Sequence, residues 1–314
     1  MSFILAHLTD PHIGPLPKPR RRDLIGKRVT GYLNWTSGRR LVHDMDALRQ
    51  VVADVKAHHP HHIAVTGDIS NIGLPAEFQL AGSWLETLGP CENVSFVPGN
   101  HDAYVRGSMR HLARAFAPWT RGEPARLDLE GEAAKPGLKA DDGQPVEGYP
   151  YMKVRGNVAL IGLSSGVPTP FFIASGLLGR PQIEACEALL IDARQRGLVR
   201  IVMIHHPPQS AAAGAARGLR DARAFEALIR RAGAELIIHG HSHRRSVAHM
   251  RGPDGLVPVV SAPSASAIRG APRHRAGYLL YEVTGNASNF KIEARARGLL
   301  PGSSTIGDLG PIRL

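Results

Sequence analysis

The chain has 314 residues, 43% hydrophobic and 21% charged, the balance of a globular protein and not of a disordered one. No run approaches the roughly 20 apolar residues that a membrane-spanning helix needs, and Met-Ser-Phe-Ile-Leu-Ala-His at the start lacks the basic region and cleavage site of an export signal, so a cytoplasmic location is expected. A net charge of +11 favours anionic partners without naming one, and two cysteines, Cys91 and Cys186, exclude a disulfide framework and argue against a thiolate metal site.

An apolar run over 3–8 predicts a strand that stops at Thr9-Asp10-Pro11-His12. Residues 15–43, rich in Pro, Arg and Lys with Leu24, Ile25, Val29, Tyr32, Leu33 and Trp35 interleaved, read as an insertion. Met45, Leu48, Val51, Val52 and Val55 recur at helical spacing and predict a helix over 44–58. A strand over 61–66 ends at Gly67-Asp68, and a helix over 75–88 follows with Pro75 in its first turn. The strand over 93–97 ends at Pro98-Gly99-Asn100-His101-Asp102. Residues 121–150 carry many Gly, Pro and acidic residues without a period and predict a long surface loop, a second insertion.

Strands over 157–163 and 199–204 flank a helix over 181–196, and the second of them runs into His205-His206-Pro207-Pro208. A helix over 221–232 precedes a strand over 235–238, which ends at His239-Gly240-His241-Ser242-His243. Strand candidates near 257–261, 277–283 and 289–295 make the region 255–314 β-rich. This alternation implies an α/β layered sandwich, expected as a single domain over 1–314. Polar clusters recur after the carboxyl ends of the predicted strands, where open α/β sheets place their ligand sites, in an order that would set all of them at one edge of a sheet.

Taken singly, Asp10-x-His12 and Gly67-Asp68 are common by chance, and a lone histidine more often serves a core or a surface than a ligand site. Together the clusters supply carboxylate oxygens, an amide oxygen and several imidazoles, the donor set of divalent transition metals. A shared carboxylate can hold two cations about 3.5–4 Å apart, the spacing that activates a nucleophile and stabilises a leaving oxygen.

At this point the chain resembles the calcineurin-like metallophosphoesterase superfamily, whose signature of D-x-H, G-D, G-N-H-[DE], a lone H and G-H-x-H is present in order from residue 3 to about 245. The expected fold is a layered sandwich of two mixed β-sheets flanked by helices, with a dimetal site at the carboxyl edge of the strands. The resemblance implies that Asp10, His12 and His243 hold one cation, that Asn100, His205 and His241 hold the other, and that Asp68 bridges them. It implies that His101 stabilises phosphoryl oxygens or protonates the leaving alkoxide and that Asp102 orients His101. His205 is preferred to His206 because it directly follows the strand, His206 is left to line the pocket, and His239 is read as a strand-end residue that does not ligate.

The segment Gly67-Asp68-Ile69-Ser70-Asn71-Ile72-Gly73 lacks the arginine of the G-D-x-V-D-R-G pattern of Ser/Thr phosphatases, and Asn71 stands where purple acid phosphatases carry a tyrosine. Gly99-Asn100-His101-Asp102, Ala174-Ser175-Gly176, His205-His206-Pro207-Pro208 and Gly240-His241-Ser242-His243-Arg244 are similar to bacterial class III cyclic-nucleotide phosphodiesterases. The implied activity is hydrolysis of small phosphodiesters, such as cyclic nucleotides or glycerophosphodiesters, by a metal-bridging hydroxide. Such a mixed N/O site accepts Mn, Fe, Zn or Co.

Two alternatives remain open on the residues alone. A lipid-linked or nucleotide-sugar pyrophosphatase would rest on an anionic membrane surface through 15–43, where basic residues alternate with Tyr32, Leu33 and Trp35; a packing strap over the site is the simpler reading of that segment. A nucleic-acid phosphodiesterase is compatible with the positive charge but is disfavoured by an aromatic content of 5% and the lack of a stacking platform.

Overall fold

The structure is a computed structural model that describes residues 2–122, 148–212, 214–286 and 288–314. In the first part of the chain, β1 (Ser2–Leu8), α1 (Lys27–Ser37), α2 (Met45–Ala57), β2 (His62–Val65), α3 (Pro75–Leu88), β3 (Val94–Phe96) and α4 (Ser108–Thr120) follow one another. The second part runs β4 (Tyr151–Arg155), β5 (Val158–Gly162), α5 (Arg180–Gln195), β6 (Val199–Met203), α6 (Ala222–Ala232), β7 (Leu236–His239), β8 (Ser246–Arg251) and β9 (Leu256–Ser261), and the chain ends with β10 (Gly277–Asn286), β11 (Asn289–Leu299) and β12 (Ile306–Ile312).

These strands form two mixed six-stranded sheets, ordered β12-β11-β10-β1-β2-β3 and β4-β5-β6-β7-β9-β8. Strands β1, β2 and β3 pair in parallel, as do β5, β6, β7 and β9. Parallel strands are covered on both faces, which is why they read as continuous apolar runs. In β1 the two-residue period divides the load: Phe3 and Leu5 join the core between the sheets, while Ala6 and Leu8 join the core beneath α2, α3 and α4. Leu160, Ile201 and Ile238 of the second sheet meet Phe3 and Leu5 in the shared core, and α5 and α6 cover that sheet's outer face. The α/β sandwich of two mixed sheets expected from the sequence is the fold observed.

Every strand and helix predicted from the sequence is present with small shifts at its ends. Local chemistry sets the bounds: Asp44 caps α2 by accepting from the Ala47 amide at 2.8 Å, and Pro75 opens α3 where no amide is needed. Five elements went unpredicted. Helix α1 lies inside the 15–43 insertion and buries only Trp35, so its sequence shows no apolar stripe. Helix α4 carries Pro118. Strands β4, β8 and β12 lie at sheet edges, where one neighbour suffices and Gly-Asp-Leu-Gly-Pro is tolerated in β12. The loop expected over 121–150 lies almost wholly outside the described residues.

Candidate dimetal centre

The polar clusters meet, but not at one sheet edge. Those after β1, β2 and β3 belong to the first sheet and those after β6 and β7 to the second, and the packing of the two sheets brings both rims together. Hydrogen bonds lock the turns: Asp10 N to Gly67 O at 2.9 Å, His12 N to Asp68 O at 3.1 Å and Gly240 N to His205 O at 3.1 Å. His205 Nδ1 reaches across the sheets to Thr66 O at 2.6 Å.

Each strand turns away abruptly after its last residue. Asp10, His12, Asp68, His241 and His243 all have positive φ, between 41° and 65°. The left-handed region costs a non-glycine residue about 1–3 kcal/mol, and Asp, Asn and His tolerate it best. Two glycines allow the close approach. A Cβ on Gly99 would strike the Asp68 carboxylate and the His205 ring, and one on Gly240 would strike Thr9 Oγ1 and, at 2.7 Å, Asp10 Oδ2.

The donor atoms converge. His243 Nε2 stands 3.1 Å from Asp10 Oδ1 and 3.4 Å from His12 Nε2. Asp68 Oδ2 lies 3.9 Å from His12 Nε2 on one side and 3.4 Å from His205 Nε2 on the other. His205, His206 and His241 form a second group that offers one ring nitrogen each, all within 4.8 Å of one another.

Ring orientation separates ligand candidates from supports. His12 Nδ1 lies 3.2 Å from Ser70 O and His205 Nδ1 is held by Thr66 O, so each Nδ1–H donates outward and each Nε2 lone pair faces inward. His206 has both nitrogens engaged, Nδ1 with Ser165 Oγ at 2.8 Å and Nε2 with Ala174 O at 3.1 Å. His239 Nδ1 turns to Gly240 O at 3.0 Å.

Asp10 Oδ1, Asn100 Oδ1, His205 Nε2 and His241 Nε2 are buried without a hydrogen-bond partner. An unmet buried polar atom costs about 1–3 kcal/mol, and here four of them stand on the turns that follow β1, β3, β6 and β7. For His205, burial opposes protonation, yet the Asp68 and Asp10 carboxylates lift its pKa to about 9. Surplus negative charge facing inward lone pairs is the environment a divalent cation fits.

His101 and Asp102 divide their roles differently from expectation. The His101 ring stacks on Tyr104, its Nδ1 is held by the Asn71 carbonyl, and burial followed by the nearby Arg39 charge lowers its pKa to about 3. Asp102 does not supply the orienting contact. Its carboxylate accepts from the amides of Asp68 at 2.7 Å, Ser70 at 2.9 Å and Gly99 at 2.9 Å, and from Ser70 Oγ at 2.9 Å. Burial and the Asp68 charge push Asp102 up to about 7, against the pull of those donors. Asp102 thereby clamps the Asp68 and Asn100 turns together.

Residues of the insertion also enter the site, Arg39 and His43 among them. Arg39 and His43 line a cleft of about 570 Å³ with Asp68, Asn100, His101 and Arg217. His43 sits with its ring centroid 4.5 Å from that of His12 and its Nδ1 2.8 Å from Ser266 Oγ. No motif marks either residue; the basic run before α2 was the only signal, and Arg39 differs from the exposed Arg40 by one step of a turn.

A two-sheet α/β sandwich whose facing rims gather Asp, Asn and His donors around a shared carboxylate defines a metal-dependent phosphoesterase scaffold. The chain belongs to the calcineurin-like phosphoesterase family, matching it over residues 4–245. It is 25% identical over 242 residues, 76% of this chain and 78% of the other, to a Synechococcus protein named as a probable cyclic nucleotide phosphodiesterase. The fold is similar to that of a dimetal phosphatase from Danio rerio, with a TM-score of 0.57 at 13% identity and 98% of each chain covered. It is also similar to a purple acid phosphatase from yellow lupin, with a TM-score of 0.54 at 10% identity, covering 98% of this chain and 53% of the other. Among the described residues no helix is long and apolar enough to cross a membrane.

Proposed function

We propose that the protein hydrolyses phosphodiester bonds in small substrates, with cyclic nucleotides or glycerophosphodiesters as the leading class. Asp10, His12 and His243 would hold one divalent cation, Asn100, His205 and His241 a second, and Asp68 both. The observation that carries this reading is the position of Asp68 Oδ2 between His12 Nε2 and His205 Nε2, with unpartnered donors on either side. When bound, such a pair of cations lowers the pKa of water and withdraws charge from phosphoryl oxygens.

The chain's own residues do the rest. The Asn71 carbonyl holds His101 Nδ1 and turns Nε2 toward the cleft, where it accepts from Arg39 Nη1 at 2.8 Å, so that ring and guanidinium line the place a phosphoryl oxygen would take. Asp102 keeps the Asp68 and His101 turns in register. The Synechococcus relative favours a diester over a monoester substrate. The test is Asp68→Ala, expected to lose both metals and all measurable turnover of bis(p-nitrophenyl) phosphate. A variant that retains two metals per chain and full activity overturns the assignment.

A second reading, a lipid-linked pyrophosphatase, is favoured by one surface feature. Ile25 is 75% exposed and Leu33 59%, and the exposed Arg21 and Arg22 lie nearby in sequence. Vesicle flotation with phosphatidylglycerol separates the readings, and a protein that stays in the bottom fractions removes this one.

A further inference from the structure

Arg39 enters the cleft from the turn between α1 and α2, outside every motif of the ligand set. Its Nη1 lies 2.8 Å from His101 Nε2 and its Nη2 2.8 Å from His12 Nε2. The turn is braced on both sides. Trp35, 6% exposed, is buried one turn earlier; Val42 O accepts from Ile268 N at 2.9 Å, and Asp44 N donates to Ser266 O at 2.9 Å. A 3-10 turn over Arg39–Leu41, set off from α1 by Gly38, therefore presents the guanidinium at a fixed place.

Other inward-facing arginines are spent on structure. Arg28 donates to the carbonyl of Ile72 at 3.1 Å and to Ser108 Oγ at 3.1 Å; Arg200 pairs with Glu235 at 2.6 Å and Arg297 with Asp54 at 2.7 Å. Arg39 is not. Among the described residues no carboxylate lies within ion-pair distance of its guanidinium, and its hydrogen-bond partners are nitrogens of two imidazole rings, His101 and His12. The Asp68 and Asp10 carboxylates attract this half-buried cation without pairing with it, and an anion entering the cleft would give it a direct partner. One of these nitrogens, His12 Nε2, is also a candidate ligand atom, so with His12 committed to a cation Nη2 is left for the cleft.

We propose that Arg39 grips a non-bridging phosphoryl oxygen of the substrate beside His101, making the 15–43 segment part of the substrate site as well as a strap across it. The inference rests on the phosphodiesterase reading above. A guanidinium is suited to such a grip, because its planar fork meets two oxygens at once and keeps its charge at all working pH values. Arg217 lines the same cleft from the second half of the chain and adds positive charge toward the same anion. No bond is made or broken by Arg39; it binds charge.

The probe is inorganic phosphate, titrated calorimetrically into manganese-loaded wild type, Arg39→Ala, Arg39→Lys and the exposed control Arg40→Ala, with metal content and bis(p-nitrophenyl) phosphate turnover measured on the same samples. Arg39→Ala is expected to bind two metals per chain but to lose roughly 10- to 100-fold in phosphate affinity and in kcat/KM, the worth of a charge-assisted hydrogen bond. Arg39→Lys should recover part of both losses, and Arg40→Ala should match wild type. Unchanged phosphate affinity in Arg39→Ala overturns the proposal, and so does loss of metal from that variant, which would make Arg39 a prop of the ligand set. A wild type that takes up no metal sinks the phosphodiesterase reading itself, and the grip with it.

Discussion

His205 and His206 are neighbours in sequence and equally buried, yet only one presents a nitrogen to the centre. The difference lies in what occupies the second ring atom. Thr66 O holds His205 by Nδ1 alone, leaving Nε2 without a partner, whereas Ser165 Oγ and Ala174 O take both nitrogens of His206. His205→Ala should therefore lose one metal per chain together with most of the turnover. His206→Ala should keep both metals and lose about 10- to 100-fold in activity or metal affinity, the usual effect of removing an outer support. Metal analysis of the two purified variants decides it, and equal metal loss in both would show that His206 ligates. The left-handed backbone at Asp10, His12, Asp68, His241 and His243 points the same way. Strain repeated at five donor positions is retained where the surrounding structure demands those atoms in one place.

At the scale of elements, α2 is fastened to the first sheet by Asp54, which accepts from Arg297 Nε at 2.7 Å, Arg297 Nη2 at 2.9 Å and Tyr278 OH at 2.7 Å. Burial pushes the Asp54 pKa up, but the hydrogen bonds from Arg297 and Tyr278 outweigh it and bring the pKa below its ordinary value. The stabilisation is thus complete above the unfolded pKa of about 3.9 and is lost as the pH falls through the lower folded value. Asp54→Asn should cost about 1.5–3 kcal/mol near neutral pH. It should also remove part of the wild-type drop in melting temperature between about pH 4 and pH 2; an unchanged acid limb would show that the clamp carries no weight. This clamp was invisible in the sequence, because Asp54 and Arg297 sit on elements far apart in the chain. What could be read was periodic or local: buried parallel strands announce themselves as apolar runs, and the Asp10, Asp68, Asn100, His205 and His241 clusters follow their ends. What could not be read depended on partners. Helix α1 leaves Val29 and Leu33 in solvent and so shows no apolar face, and edge strands β8 and β12 need only one neighbour. The split of five clusters over two sheets is a matter of strand pairing, which no periodicity encodes. Arg39 and His43 belong to no motif, and only the path of the chain after α1 brings them to His101 and His12.

For the molecule as a whole, the centre is a seam. Asp10, His12, Asp68 and Asn100 come from turns of the first sheet, and His205, His241 and His243 from turns of the second. A cation held by donors from both sides binds the folded arrangement and not the unfolded chain, so its affinity adds to stability. At a free concentration 100 times its dissociation constant, one ion contributes about 2.7 kcal/mol. In a chain of this size that corresponds to a shift of roughly 4 °C in melting temperature. The core between the sheets joins Phe3 and Leu5 to Leu160 and Ile238, and we propose that the two sheets melt as one unit whether or not metal is bound. Calorimetry in EDTA should show a single transition at the lower temperature, and excess manganese should restore the upper one. The same scans on Asp68→Ala should show no response to manganese, because both cations lose their common ligand. Two separate transitions would mean that the sheets are independent domains, and a wild-type melting temperature indifferent to EDTA would mean that no ion ties them together.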